Sequence, residues 1–173
     1  MTTHTRSILT VLSVGAVVLL LDRLSKTWVL DNLNLYEGRT LISALAPYLT
    51  VFHTTNTGVS FGMFRGGGEI FKIVAAVAVV AILVYSFRRG HSSTFVNISL
   101  GLMLGGAAGN LYDRLAYGHV IDFISFRVPG VFNFATFNLA DSALVVGTIL
   151  LAIYMLLEER RQKAEENSIP DQA

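Results

Sequence analysis

Residues 94–112, TFVNISLGLMLGGAAGNLY, carry no charged side chain and are mostly apolar. A helix that crosses the hydrocarbon core of a bilayer needs about 20 such residues. Within this segment Gly101, Gly105 and Gly109 recur at four-residue spacing, and small residues at this spacing let helix backbones approach closely in a membrane. We therefore predict a transmembrane helix that packs tightly against its neighbours.

The composition of the whole chain agrees with a membrane protein. Hydrophobic residues make up 53% of the 173 residues and charged residues only 14%, whereas an ordinary soluble domain carries about 25% charged residues. We predict an all-α membrane protein with a single integral membrane domain, residues 1–173. Its four transmembrane helices are placed at about 7–30, 69–87, 94–113 and 141–157, and its outer loops at about 31–68 and 114–140.

The net charge of +1 and the absence of cysteine narrow the possible functions. A nearly neutral chain is a poor candidate for electrostatic binding of nucleic acid, so we expect no nucleic-acid partner. A chain without cysteine has no disulfide, no thiolate metal site and no cysteine nucleophile. The zinc motif His-Glu-x-x-His is also absent and the four histidines are scattered, so we expect neither a metal nor a cofactor.

The first apolar segment has two interpretations. Arg6 followed by an apolar run to Leu21 resembles a secretory signal peptide, which would be removed. The run is followed by Asp22-Arg-Leu-Ser-Lys26 rather than by a small-residue cleavage site. We therefore expect the segment to be kept as the first transmembrane helix.

The basic residues predict how the chain lies in the membrane. They concentrate before the first span, between the second and third spans, and after the fourth, at Arg6, Arg88, Arg89, Arg160, Arg161 and Lys163. By the positive-inside rule, both termini are cytoplasmic and the two long loops face the other side. The tail, residues 158–173, is highly charged, and we expect it to be frayed.

The outer loops contain short segments with the composition of β-strands. Residues 48–56, YLTVFHTTN, are rich in β-branched and aromatic residues, which favours a strand. Residues 118–126, GHVIDFISF, are apolar but too short to span, so they fit either a strand or an interfacial helix. Three glycines at 66–68 predict a turn before the second span.

Several polar side chains lie where a transmembrane segment should be apolar, and such residues are often functional. Asp22 and Lys26 share one face of the first helix and can form an ion pair, which a purely structural role also explains. Asn110 lies near the outer end of the third helix and needs a hydrogen-bond partner in apolar surroundings. Arg114 follows it and can simply extend to the membrane surface.

Two aspartates near the outer side differ from their surroundings. Asp122 lies between two apolar residues in an apolar run, and Asp141 lies at the start of the fourth helix, where a role as a helix cap alone is an equal alternative. The predicted topology brings both to the same leaflet as the other unusual polar residues. These are Asp22, Asn56, Asn110 and Arg114, with Asn138 just before Asp141.

Two carboxyl groups held close together cannot both ionise, so the pair shares a proton. One carboxylate can then take a proton from water while the other donates to the carbonyl oxygen of an amide, which is the metal-free chemistry of an aspartic protease. A four-helix membrane aspartic endopeptidase is therefore our leading hypothesis. The alternatives are a proton or ion pathway through Asp22, Asp122 and Asp141, and a non-catalytic membrane scaffold.

A motif for a different nucleophile occurs at residues 58–62, GVSFG, which match G-x-S-x-G. That motif requires a strand, a sharp turn and a helix in a large α/β sheet, and this chain has no room for one. We do not expect Ser60 to be a nucleophile.

Five separated blocks resemble the motifs of the signal peptidase II family, the lipoprotein signal peptidases, which are four-helix membrane aspartic proteases. In chain order the blocks are DRLSK at 22–26, NTGVSF at 56–61, GGAAGNLYDR at 105–114, VIDF at 120–123 and FNLAD at 137–141. Each block alone is weakly specific. The five together, in the family's order and over most of the chain, are very specific.

The resemblance implies roles for individual residues. Asp122 and Asp141 would be the catalytic pair, with Asp22, Lys26 and Gly109 in supporting positions. The residues that would line the site and contact substrate are Asn56, Asn110, Arg114 and Asn138. The resemblance also implies a small β-sheet cradle in the first extracytoplasmic loop, at the membrane surface, and a second outer loop that covers the site.

The substrate implied by the resemblance is a bacterial prolipoprotein whose cysteine already carries a diacylglyceryl group, cut just before that cysteine. The protein would lie in the bacterial cytoplasmic (inner) membrane, among membrane lipid, with its active site near the outer leaflet and with no cofactor. Globomycin-type cyclic peptides would inhibit it by occupying this site.

Overall fold

The fold is that of a computed structural model, which describes residues 2–58, 68–89 and 93–167. Ser60, the serine of the G-x-S-x-G motif, lies outside these ranges. The first two glycines of the predicted turn, at 66 and 67, lie outside them as well. The third, Gly68, is the first residue of a helix.

Four long helices form most of the described structure. They are α1 (Thr3–Asn32), α2 (Gly68–Arg89), α3 (Thr94–Ala116) and α4 (Leu139–Asn167). Each is long and apolar enough to cross a membrane, which confirms the predicted four-helix architecture.

The helix α3 lies between α1 and α4 and is the most buried of the four helices. Its glycines make the close contacts. A Cβ atom added at Gly105 would lie 2.6 Å from the backbone oxygen of Gly15 in α1, and one added at Gly106 would overlap the backbone oxygen of Ala140 in α4. The stripe of small residues therefore brings α3 into backbone contact with both neighbours.

Two apolar clusters hold these elements together. The first joins α1, α2 and α3 through Val11, Ile82, Val96, Leu100 and Leu104. The second attaches the end of α1 to a strand of the outer loops through Val29, Leu33, Ile121 and Phe123. The second cluster fixes the height at which the loops sit on the helices.

The helix α4 continues well past its apolar segment, so the expectation of a frayed tail is wrong for residues 158–167. Two ion pairs at i, i+4 spacing explain the extension. Arg161 lies 2.9 Å from Glu165, and Lys163 lies 2.5 Å from Glu159. Such pairs stabilise a solvent-exposed helix.

The outer loops build one antiparallel sheet of four strands, in the order β1 (Gly38–Arg39), β2 (Leu49–Asn56), β3 (Val120–Val128) and β4 (Phe132–Asn133). The strand predicted at 48–56 is therefore confirmed, and the segment 118–126 forms a strand rather than an interfacial helix. Strands β3 and β4 belong to the second loop. The small sheet that we expected within the first loop is therefore formed by both loops.

The pairing of β2 with β3 contains an irregularity beside Asp122. Val51 pairs with Ile124, but Thr54 rather than His53 pairs with Asp122. One extra residue in β2 therefore opposes β3 at this point, which is the definition of a β-bulge. Bulges bend a strand and redirect its side chains, and this one lies one residue from Asp122.

Candidate active site

The side chains of Asp122 in β3 and Asp141 in the first turn of α4 are held by one residue, Asn138. The Asn138 amide Nδ2 donates a hydrogen bond to Asp122 Oδ1 at 2.7 Å, and its backbone N–H donates to Asp141 Oδ2 at 3.2 Å. The backbone N–H of Asp141 donates back to Asn138 Oδ1 at 2.9 Å. Asn138 is fully buried, so this reciprocal cap fixes both acids at the start of α4.

Two further amides complete the hydrogen bonds to the acids. Asn110 Nδ2 in α3 donates to Asp141 Oδ1 at 2.7 Å, and Asn56 Nδ2 at the end of β2 donates to Asp122 Oδ2 at 3.1 Å. Each carboxyl group thus receives hydrogen bonds from two different elements. The polar residues that the sequence placed on one side of the membrane do come together in the fold.

Asp122 is buried, with 2% of its surface exposed. Burial raises its pKa to about 7, and the nearby charge of Asp141 adds to the rise. The hydrogen bonds from Asn56 and Asn138 lower the pKa and offset part of this effect. Near neutral pH, Asp122 is therefore able to carry a proton while accepting these bonds through its remaining lone pairs.

Arg114 connects α3 to the first outer loop. Its Nη2 donates to the backbone oxygen of Gly58 at 3.2 Å, and its Nη1 donates to the backbone oxygen of Asn110 at 3.3 Å. Its Nε is buried without a hydrogen-bond partner among the described residues. The guanidinium group therefore has a buried donor, the Nε–H, that the described protein groups do not use.

A cluster of buried ions lies next to the two acids. The fully buried Lys26 Nζ lies 2.8 Å from Asp22 Oδ2, which confirms the predicted ion pair, and 2.7 Å from Asp113 Oδ2. Asp113 also pairs with Arg23. We call these four residues the ion cluster. Its charges balance, which is the condition under which buried ions are tolerated.

Sequence reasoning missed the part played by Asp113. The residue appeared only within the block GGAAGNLYDR at 105–114, with no role assigned to it. Asp113 and Asn110 are three residues apart on one helix face, and this spacing was the available signal. The partners Lys26 and Arg23 are nearly 90 residues away, so only the packing of α1 against α3 reveals them.

The ion cluster also holds the backbone that leads into each acid. Asp113 Oδ2 accepts the N–H of Ile121 at 3.1 Å, directly before Asp122. Asp22 Oδ1 accepts the N–H of Ala140 at 3.0 Å, directly before Asp141. Asp22 and Asp113 are therefore each connected to the residue before one of the acids through a backbone N–H.

Gly109 is expected not to tolerate a side chain, since a Cβ atom there would lie 2.6 Å from Asp22 Oδ2 and 3.2 Å from Ala140 Cβ. In Gly109→Ala the Asp22 carboxylate must move away from its cation. We expect the free energy of unfolding to fall by about 1–3 kcal/mol, as for other overpacked sites. Thermal unfolding in detergent micelles measures this loss.

Gly15→Ala is the matched control for this substitution. The nearest atom to its new Cβ is Leu104 Cδ2 at 3.2 Å, the end of a side chain that can rotate. Alanine also favours the helix by about 1 kcal/mol over glycine, so we expect little loss of stability there. Equal stability of the Gly109 variant and the unmodified protein would contradict this account of the packing.

Two cavities meet at the two acids. The sheet cavity, about 360 Å³, is lined by residues 54–58, Asp122 and residues 133–136. The helix cavity, about 400 Å³, lies between α2, α3 and α4 and contains Asp141. Asn56 and Gly58 line both, so the acids stand where the two spaces join. Both volumes are in the range of small-molecule and peptide sites.

The described residues offer little to a metal ion. No group of three or more His, Asp or Glu side chains in residues 2–58, 68–89 and 93–167 is arranged to hold one. The acids of the site are instead engaged by amide donors. The arrangement can hold a water molecule and share a proton, which suits hydrolysis by a pair of carboxyl groups.

Comparison with known proteins gives consistent matches over most of the chain. A family model described as signal peptidase (SPase) II matches residues 14–157. The lipoprotein signal peptidase of Clostridium acetobutylicum is 35% identical over 149 residues, which cover 86% of this chain and 95% of that protein. That of Syntrophomonas wolfei is 43% identical over 146 residues, covering 84% and 92%.

Two solved structures resemble the fold, and both are of bacterial membrane enzymes. One has a TM-score of 0.77 and 25% sequence identity, and the match covers 95% of this chain and 94% of that one. The other has a TM-score of 0.74 and 26% identity, covering 85% and 92%. The likeness in fold therefore extends over most of the chain.

Proposed function

Because the chain belongs to the signal peptidase II family, whose members are bacterial membrane proteases that remove signal peptides from prolipoproteins, we propose that it works as an aspartic endopeptidase. It cuts the amide bond just before the diacylglyceryl-modified cysteine, and Asp122 and Asp141 perform the chemistry. One observation carries the proposal. Asn138 donates to both carboxyl groups at the junction of the two cavities.

In the proposed reaction, ionised Asp141 takes a proton from a water molecule whose oxygen attacks the carbonyl carbon of the scissile amide. Protonated Asp122 gives its proton to the carbonyl oxygen, which produces a tetrahedral diol. Asp141 then donates its proton to the amide nitrogen, the C–N bond breaks, and a diol proton returns to Asp122. The raised pKa of Asp122 supports giving it the proton in the resting state.

The surrounding polar groups bind the substrate backbone in this proposal. The unused Nε of Arg114 supplies a donor for a substrate carbonyl, and Asn56 and Asn110 keep the acids in place. The helix cavity is lined by apolar side chains such as Phe71, Val74 and Leu144. These suit the acyl chains or the apolar signal helix of a substrate that arrives within the membrane.

We further infer that both termini are cytoplasmic and that the site lies near the outer leaflet of the inner membrane. The positions of the basic residues support this orientation. A lipid-anchored precursor would then present its cleavage point at the height of the sheet. Globomycin-type cyclic peptides would inhibit by filling the space between the two acids.

Cleavage of defined precursors tests the proposed function. The purified protein in lipid vesicles is given a diacylglyceryl-modified prolipoprotein and, as a matched control, the same precursor with serine in place of the cysteine. We expect the diacylglyceryl-modified precursor to be cut once, immediately before the cysteine. The serine precursor, which carries no lipid, should stay intact. Mass spectrometry of the fragments reads the position. Cutting elsewhere, or equal cutting of both precursors, would contradict the proposal.

The pH dependence of the reaction follows from the proton on Asp122. Its pKa is raised from 3.8 to about 7 by burial and by the charge of Asp141, so it keeps its proton below about pH 7 and loses it above. The pair then has no proton to give to the amide oxygen. We expect kcat/KM to fall above about pH 7, by about tenfold per pH unit.

Asn56→Ala provides the check on this assignment. The Asn56 amide donates to Asp122 and lowers the pKa of that carboxyl group, so its loss raises the pKa. The fall in kcat/KM should move to higher pH in the variant. If kcat/KM stays constant between about pH 6 and about pH 9, Asp122 does not supply the proton. The same conclusion follows if kcat/KM falls at the same pH in the variant and in the unmodified protein.

A further inference from the structure

We propose that the sheet cavity binds the first residues of the mature chain, directly after the scissile bond, as an extended strand and selects small polar side chains there. This subsite rests on the proposed function. It concerns the part of the substrate that follows the cysteine and extends out of the membrane.

The two cavities differ in their surroundings. The helix cavity lies between three membrane-spanning helices and is mostly apolar, so it suits the parts of a substrate that are embedded in lipid. The sheet cavity lies against the loops, and its lining includes the four threonines Thr54, Thr55, Thr57 and Thr136. A cut at the junction therefore leaves the polar part of the substrate beside the threonines.

The far wall of the sheet cavity is a second β-bulge. Phe134 donates its N–H to Phe126, whereas Phe137 pairs with Ile124. Ala135 and Thr136 together therefore oppose the single residue between those partners. In the part of the chain that the structure describes, neither Ala135 nor Thr136 forms a backbone hydrogen bond.

Backbone groups left unpaired at the edge of a sheet are the usual template for an added strand. Among the described residues, the N–H and C=O groups of Ala135 and Thr136 have no backbone partner, and both residues line the sheet cavity together with Asp122. An extended peptide that enters the cavity can pair with them. The pairing holds the chain straight as it passes the acids, and it is independent of the peptide's sequence.

The segment is held firmly at both ends, so it is a preformed wall. Phe134 and Phe137 pack edge to face with ring centroids 5.7 Å apart. The Phe137 N–H donates to the backbone oxygen of Ile124 at 3.1 Å, and the Ile124 N–H donates to the backbone oxygen of Phe137 at 2.7 Å. Rigid surroundings lower the entropy that a bound peptide has to lose.

The size of the cavity decides which side chains fit. Its volume of about 360 Å³ is shared between a strand of backbone and the side chains on it. Ala135 and Thr136 at the centre of the wall are small, and Ala135 leaves the space that a larger residue would fill. Small polar side chains can therefore be accommodated and can bond to polar groups of the lining, whereas an indole ring is too large to fit beside the backbone.

The test varies the substrate and the wall together. Two diacylglyceryl-modified prolipoproteins carry either serine or tryptophan at the two positions after the cysteine. We expect the unmodified protein to cut the serine substrate at least about tenfold more efficiently. The quantity compared is the ratio of kcat/KM for the serine substrate to kcat/KM for the tryptophan substrate. Ala135→Leu should raise KM and increase this ratio, and Ala135→Gly should decrease it.

Ala75→Leu is the matched control, since Ala75 lines the helix cavity. It should slow both substrates by the same factor and leave the ratio unchanged. Equal cutting of the serine and tryptophan substrates by the unmodified protein, or a ratio that the Ala135 variants leave unchanged, would overturn the subsite alone. Failure of the unmodified protein to cut the serine substrate would overturn the proposed function, and the subsite with it.

Discussion

Asp141→Asn is expected to reduce prolipoprotein cleavage by about 1,000-fold or more while the fold stays intact, and Asp122→Asn is expected to do the same. Asparagine has nearly the shape of aspartic acid, so most of the packing around it survives. It can neither take a proton from water nor carry one to an amide oxygen. Because the two carboxyl groups act as one unit, the double variant should be about as inactive as either single variant.

Asp31→Asn is the control for these variants, because Asp31 is an exposed aspartate near the end of α1. It should cleave at the rate of the unmodified protein. Cleavage is followed by the appearance of the mature lipoprotein, and folding by thermal unfolding in the same micelles. A folded Asp122 or Asp141 variant that keeps more than about a tenth of the activity would disprove catalysis by this pair.

Lys26→Met is expected to lower the free energy of unfolding by about 3–5 kcal/mol. The ammonium group has no exposed surface and lies between the carboxylates of Asp22 and Asp113, which are also fully buried. Its removal leaves two buried anions with one remaining cation, Arg23. Methionine fills nearly the same space, so the loss reports the charge rather than a cavity.

Lys72→Met is the matched control, since Lys72 pairs with the exposed carboxylate of Glu69. Exposed pairs contribute about 1 kcal/mol or less, and we expect a change of that size. Adding Asp22→Asn to Lys26→Met should restore part of the stability, because Arg23 then balances Asp113. The measurement is unfolding in mixed micelles. A Lys26 variant as stable as the Lys72 variant would show that the ion cluster does not stabilise the fold.

Several features could be predicted because each corresponds to a recognisable pattern in a short stretch of sequence. The four helices appear as apolar segments of the right length, and strand β2 appears as a run of β-branched residues. Asp122 and Asn110 are visible because polar residues are costly in apolar surroundings. Asp141 lies in the first turn of α4, where its carboxylate accepts the backbone N–H of Asn138, so part of its predicted role in capping the helix is seen.

Other features depend on contacts between distant parts of the chain. The pairing of β2 with β3 joins segments separated by two helices, and nothing near Thr54 indicates that it pairs with Asp122. Composition predicted a strand in the first loop and left residues 118–126 as a strand or an interfacial helix, whereas pairing between the two loops makes the sheet. Similarly, the charged tail looks disordered by composition, but the spacing of its opposite charges stabilises a helix.

Through its backbone contacts, the ion cluster makes the arrangement of the candidate site depend on the packing of the first helix against the last. Asp22 belongs to the first helix that leaves the ribosome, and it holds the N–H of Ala140 at the start of the last helix. Before that contact forms, the start of α4, which carries Asn138 and Asp141, is not fixed to α1 by this hydrogen bond. If Asp122 and Asp141 act as we propose, a newly made chain gains its activity only after the last helix has docked onto the first.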